Sequence, residues 1–206
     1  MNASRNLAAA EVELQKQALR HELLARRACL RPAEVAEWSR GAVERLLRLS
    51  EFLKAAVVGC YLAKSREVQT ESIVAECRSK GKILAVPRWD GARNSYGWAI
   101  LPADGVLRKG RFGVSEPVDQ EWVRVEELDV VIVPGVAFDK RGCRLGHGAG
   151  HFDRLLRVEE TRSITPPLRI GLAFDFQVLE EVPCAEHDVP MQVVVTERRT
   201  IRCQRP

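Results

Sequence analysis

No stretch of this sequence approaches the roughly 18 unbroken apolar residues of a membrane-spanning helix, and its N-terminus has no signal-peptide apolar core. A soluble, cytoplasmic protein with no membrane partner is expected. Cys29, Cys60, Cys77, Cys143, Cys184 and Cys203 form no CxxC pair and show no metal-ligand spacing. Several lie in apolar runs such as Val57-Val58-Gly59-Cys60, as reduced thiols do. Internal repeats and low-complexity tracts are absent as well. Charge of one sign is scarce: 32 Lys plus Arg oppose 28 Asp plus Glu, leaving +4 with the histidines neutral. The first 50 residues hold nine basic and six acidic side chains of alternating sign, with no aromatic-interleaved basic patch. That pattern argues against nucleic acid as a partner.

What is present suits a packed domain. Hydrophobic residues make up 46% and charged ones 29%, which excludes disordered, collagen-like and coiled-coil chains. The length of 206 residues fits a single domain over 1–206. Of the basic residues 25 are Arg, whose planar guanidinium favours bidentate contact with anions.

Residues 5–30 and 33–49 have helical periodicity, and Pro32 marks the start of the second helix. At about 100° per residue, Val12, Leu19, Leu23 and Leu30 share one stripe and Lys16, Arg20 and Arg27 an adjoining one. The cationic row therefore borders the buried seam, either solvated or pointing across a cleft. Strand-length apolar runs follow at Ala55–Leu62, at Ile83–Val86 stopped by Pro87, at Leu128–Val133 stopped by Pro134, at Leu168–Phe174 and at Val193–Val195. A helical stretch spans Thr70–Lys80. Residues 88–127 read as loop-rich, with short extra strands around Trp98–Leu101. Continuous rather than alternating apolar strands imply an α/β fold with a largely parallel sheet covered on both faces.

The chemistry concentrates between Val133 and Arg154. A buried strand there runs into a loop with Gly146, Gly148 and Gly150 at every second position, and a helix begins near His151. Such glycines let backbone N–H groups approach an anion, and the helix N-terminus adds partial positive charge. Arg144 stands beside the loop as a bidentate phosphate partner. The residues alone leave open a phosphoryl cradle or a merely tight strand-to-helix connection. No Gly-Lys-Ser/Thr closes the loop and the GxGxxG spacing is missing. His147 and His151 are four apart, as in zinc helices, but Gly148 and Gly150 between them disfavour a helix. Asp153 and Asp188 could hold Mg2+, which takes only one or two protein carboxylates; helix capping competes for Asp153.

At this point the chain resembles the 5-formyltetrahydrofolate cyclo-ligase family, also called 5,10-methenyltetrahydrofolate synthetases. The resemblance rests on Lys16-x-x-x-Arg20, on Gly110-Arg-Phe-Gly-Val-Ser-Glu-Pro117, on Val133–Arg154, and on Gly171-Leu-Ala-Phe through Glu186-His-Asp188 to Thr196-Glu197. It implies a three-layer αβα fold like that of sugar-phosphate isomerases and CoA transferases. It also implies ATP- and Mg2+-dependent closure of 5-formyltetrahydrofolate to 5,10-methenyltetrahydrofolate, with ADP and phosphate released. By position, ATP would be held by Lys16, Arg20, Arg144, Leu145, Gly146, His147, Gly148, Ala149, Gly150, His151 and Phe152, with Lys16, Arg144 and His151 acting in catalysis. Asp153 and Asp188 would take Mg2+. Folate would meet Leu62, Glu67, Trp89, Phe112 and the His147–His151 loop. Small-molecule substrates and a monomer are implied. The chain departs from the family pattern at His151-Phe152, where Tyr-Tyr is commonest, and at Gln192, where Asp is frequent. A catalytically weakened binding protein of the same fold is the competing expectation.

Overall fold

The apolar runs lie inside one sheet, where both faces are covered and no alternation with polar residues is needed. A computed structural model describes residues 2–64, 66–118, 121–157, 165–185 and 188–204, with side chains from residue 10 onward except that of Phe112. In chain order the elements are α1 (Asn2–Ala28), α2 (Pro32–Leu47), α3 (Ser50–Lys54), β1 (Val57–Cys60), α4 (Glu71–Ser79), β2 (Ile83–Asp90), β3 (Ser95–Ile100), β4 (Leu107–Lys109), β5 (Ser115–Pro117) and β6 (Trp122–Val123). They continue with β7 (Val130–Pro134), β8 (Ala137–Phe138), β9 (Arg144–Leu145), α5 (His151–Leu155), β10 (Leu168–Leu172), β11 (Val193–Val195) and β12 (Thr200–Arg202).

Among the described residues, eight strands form one sheet in the order β12-β11-β10-β7-β1-β2-β3-β6. The neighbours from β2 through β11 are parallel, and β12, β3 and β6 add antiparallel edges. The chain thus adopts the α/β class with a largely parallel sheet and flanking helices. One face packs Val130 and Ile132 with Val35, Ala42 and Leu46 of α2 and Ile73 of α4. The other packs Val131 and Val133 with Phe138, Leu155 and Leu156. Each such Val or Ile contributes about 1.5–3 kcal/mol when fully buried. The two outer layers are unequal, because the second face is covered by the five-residue α5 and by Phe138 of the β8/β9 hairpin.

Two particulars differ from the sequence expectation. β2 does not stop at Pro87 but continues to Asp90. Its parallel partner β1 pairs no further than Ala85, whereas β3 pairs Pro87 with Trp98 and runs on to Asp90. A missing N–H is tolerated where a strand has a ladder on one side only. The cationic row of α1 does not merely border the seam: Lys16, Leu23 and Arg27 are all buried, while Leu19 is only half-buried.

The five parallel strands, taken in chain order, run 2-1-3-4-5 across the sheet. The connections diverge between β1 and β7, and ligand crevices in such sheets open beyond the carboxyl ends of the strands at that point. The segment after β7 folds as the β8/β9 hairpin, and Leu23 of α1 packs on it through Val136, Ala137 and Leu145. Phe138 of this hairpin lies flat against two glycines; a Cβ on Gly171 would sit 2.5 Å from its ring. Gly171→Ala is therefore expected to cost about 1–3 kcal/mol by overpacking. Urea denaturation measures it, and Phe138→Leu in the same chain should recover part of the loss.

Candidate functional site

A cleft of about 820 Å3 opens at the divergence of β1 and β7. Its floor is Tyr61, Leu62 and Glu67 after β1, Pro134 at the end of β7, and the whole segment from Arg144 to Asp153. Its roof is α1, which contributes Lys16, Arg20 and Arg27, and Asp188 closes one end. The volume lies within the range usual for small-molecule sites.

The glycine loop is built for close approach. Gly148 and Gly150 have φ of +102° and +64°, a left-handed region where a side chain would be strained. A Cβ on Gly146 would meet Arg144 Nη1 at 2.9 Å. The N–H groups of residues 146–150 donate to no other described residue, and all five residues line the cleft, an arrangement that leaves their donors available to an anion. Arg154, which also lines the cleft, braces the loop by donating to the Ala149 carbonyl at 2.9 Å.

The charges meet in pairs. Lys16 Nζ donates to Asp188 Oδ2 at 2.6 Å, with both side chains largely buried. Arg20 Nε donates to the Gly146 carbonyl at 3.0 Å, and its Nη1 pairs with Glu13 at 2.8 Å. Arg144 Nη2 donates to Asp153 Oδ1 at 2.7 Å, while its buried Nε has no hydrogen-bond partner among the described residues. Asp153 does not cap its helix, whose N-cap is Gly150; its Oδ1 instead also accepts from the Val189 N–H at 3.4 Å. That contact brings Asp153 beside Asp188. Asp153 and Asp188 both line the cleft, each paired with a cation, and their carboxylates are hard oxygen donors of the kind Mg2+ takes. No group of three or more His, Cys, Asp and Glu side chains gathers as a metal cluster among the described residues.

Toward β2 and β3 the site becomes aromatic. The His151 ring stands edge-on to Tyr96 at 5.3 Å and to Trp89 at 6.2 Å, and Arg111 covers Trp89 at 4.2 Å. Tyr96 lines the cleft; Trp89 stands behind it and supports His151. Phe112 lies in the turn Arg111–Gly113, but its side chain falls outside the described residues, as do Glu186 and His187. Gln192 is occupied elsewhere, its Oε1 accepting from the Arg169 N–H at 2.7 Å.

Sequence reasoning passed over Asp139, which is fully buried. Its carboxylate accepts from the N–H groups of Cys143 and Val182 at 2.9 and 3.0 Å and pairs with Arg141. It thereby fastens the hairpin carrying Arg144 to the segment leading to Asp188. A buried acid followed by Arg and Gly in a turn was the available signal. Cys143 is no nucleophile: burial, then the neighbouring Cys184 thiol, pushes its thiol up to about 12, away from the reactive thiolate.

Burial pushes the Glu67 carboxyl upward, but His147 at 3.7 Å, the Lys64 N–H and the Arg27 charge outweigh it, and its pKa falls below the ordinary value of 4.5. A carboxylate with a depressed folded-state pKa stabilises the fold above its unfolded pKa, and that contribution is lost as pH falls through the folded value. Glu67→Gln is therefore expected to destabilise the protein at neutral pH. Denaturation series in urea should show the gap to wild type narrowing as pH falls below the ordinary carboxylate range.

With this geometry in place, comparison with known proteins is informative. A family model described as the 5-formyltetrahydrofolate cyclo-ligase family matches residues 12–197. The mouse (Mus musculus) 5-formyltetrahydrofolate cyclo-ligase is 28% identical over 93% of this chain and 98% of its own length. The Escherichia coli K12 protein of that name is 30% identical over 83% and 94%. The NMR structure of Aquifex aeolicus 5,10-methenyltetrahydrofolate synthetase superposes with a TM-score of 0.80 at 36% identity, covering 93% of this chain and 94% of that one. The chain belongs to the 5-formyltetrahydrofolate cyclo-ligase family.

Proposed function

We propose that the chain closes 5-formyltetrahydrofolate to 5,10-methenyltetrahydrofolate at the expense of ATP, with Mg2+ held by Asp153 and Asp188. The observation that carries this reading is the convergence of Lys16, Arg20, Arg144, Asp153 and Asp188 around the 146–150 loop in the same cleft that Leu62 and Glu67 line. We read the enzyme as a cytoplasmic monomer. The support is that one chain supplies the whole cleft and no described helix is long and apolar enough to cross a membrane.

The chemical problem explains the inventory. A formamide carbon is a poor electrophile and its oxygen a poor leaving group, so the neighbouring N10 amine cannot close the ring unaided. Transfer of the γ-phosphoryl group forms an O–P bond to the formyl oxygen and breaks the bond to ADP. N10 then attacks the formyl carbon, the N10 proton is lost to solvent, and phosphate departs with the former formyl oxygen. Such a transfer needs positioning and charge neutralisation more than covalent catalysis. The loop N–H groups, Lys16, Arg20 and Arg144 supply donors where phosphoryl oxygens gather charge. Bound Mg2+ would draw charge from those oxygens and fix their orientation.

His151 has a defined part. Burial, then Arg154 and Arg111, push its pKa below the usual histidine value. Arg154 Nη2 lies 2.9 Å from Nδ1, and because a guanidinium only donates, Nδ1 accepts and the hydrogen resides on Nε2. A neutral ring bordering the loop thus keeps a donor where the family more often has a phenol.

Purified protein with Mg2+, ATP and 5-formyltetrahydrofolate is expected to develop the near-ultraviolet absorption of the methenyl product and to release ADP. Folded protein that gains thermal stability with ligand but makes no ADP would favour the binding-protein reading. Lys16→Ala and Asp153→Asn should each lower turnover by roughly 10² or more. A wild-type rate for Lys16→Ala would remove α1 from the site.

A further inference from the structure

Arg27 is the third cation of the α1 row, and neither the phosphate contacts nor the metal pair uses it. It stands seven residues beyond Arg20, about 10 Å along the helix at 1.5 Å per residue. Its side chain lines the cleft and is nine-tenths buried, with 9% exposure. Among the described residues that side chain makes no hydrogen bond and no ion pair. It acts on Glu67 and Tyr61 only through its charge.

The residue is largely buried while its guanidinium opens on the cleft, offering five donors and no acceptor of its own. Neighbouring residues already do what a cation at a helix C-terminus commonly does. Arg66 donates to the carbonyls of Ala28 and Leu30, and Arg26 in the same turn stacks on Phe176 at 4.6 Å. The other two cations of the row each have an acceptor, Asp188 for Lys16 and the Gly146 carbonyl for Arg20. Arg27 alone of the three faces the cleft without one.

We propose that Arg27 forms an oxyanion subsite of the cleft, its planar fork taking a carboxylate or phosphate group of a substrate about 10 Å from the anion contacted by Arg20. The proposal rests on the functional reading above, in which one substrate carries glutamate carboxylates and the other phosphates; both present the same planar or near-planar pair of oxygens to a guanidinium.

The experiment compares wild type, Arg27→Lys and Arg27→Met, reading melting temperature and, separately, the Michaelis constants for the folate substrate and for ATP. Arg27→Met should raise one of the two constants by about tenfold or more, with a smaller effect on kcat and no loss of melting temperature, and Arg27→Lys should fall between. A rise confined to the folate identifies a carboxylate, and one confined to ATP a phosphate. Unchanged Michaelis constants overturn the subsite, whether or not the melting temperature falls. If wild type shows no turnover, the functional reading fails first. Calorimetric titration of the same variants with 5-formyltetrahydrofolate and with ATP then tests the subsite alone, equal affinities for wild type and Arg27→Met overturning it.

Discussion

The ion pair between Lys16 and Asp188 joins residues 172 apart in sequence and sets the geometry on which the rest of the site depends. A charge taken out of water must find a partner or it opposes folding. α1 offers little apolar area for docking: Leu23 and the half-buried Leu19 and Leu24 rest on the hairpin after β7. Ionic and polar contacts add to these, through Lys16, Arg20 and the Ala28 carbonyl held by Arg66, and Arg26 stacks on Phe176. A helix fastened in this way brings cations against the glycine loop, because those cations are the fastening.

The sheet explains why the loop is there to be covered. Strand order 2-1-3-4-5 sends the chain in opposite directions from β1 and β7, so the segments leaving these two strands part and a crevice remains between them. The segment after β1 brings Leu62 and Glu67, and the one after β7 brings the hairpin, the glycines and Asp153. Asp139, buried below the cleft, bonds to both the hairpin and the strand of chain leading to Asp188. The glycine loop, Arg144, Asp153 and Asp188 therefore hang on one scaffold, which would suit the proposed reaction, whose catalysis is mostly orientation.

Much of this was legible in the sequence because the signals are local. Apolar runs bounded by polar segments mark the central strands, and glycine at alternate positions after a buried strand marks a backbone that must approach something closely. What stayed hidden depends on distant partners. Periodicity places Lys16 next to the leucine stripe of α1, but only Asp188 decides that it is buried. Pro87 reads as a stop because sequence does not show that β2 has by then left β1 and pairs only with β3. Tyr96 lines the cleft with Trp89 packed against it, a juxtaposition that only the antiparallel pairing of β2 and β3 creates. Asp153 reads equally well as a cap, and its bond to Arg144 nine residues earlier in place of its own helix's N–H groups is not visible in the sequence.

ATP binding to Lys16→Met tests most directly that α1 is part of the nucleotide site and not only a cover over it. Calorimetric titration in Mg2+ should show affinity lower than wild type by about tenfold or more, the usual weight of a charge-assisted hydrogen bond, with the sheet's circular dichroism unchanged. Equal affinity for ATP in the two folded proteins would contradict it.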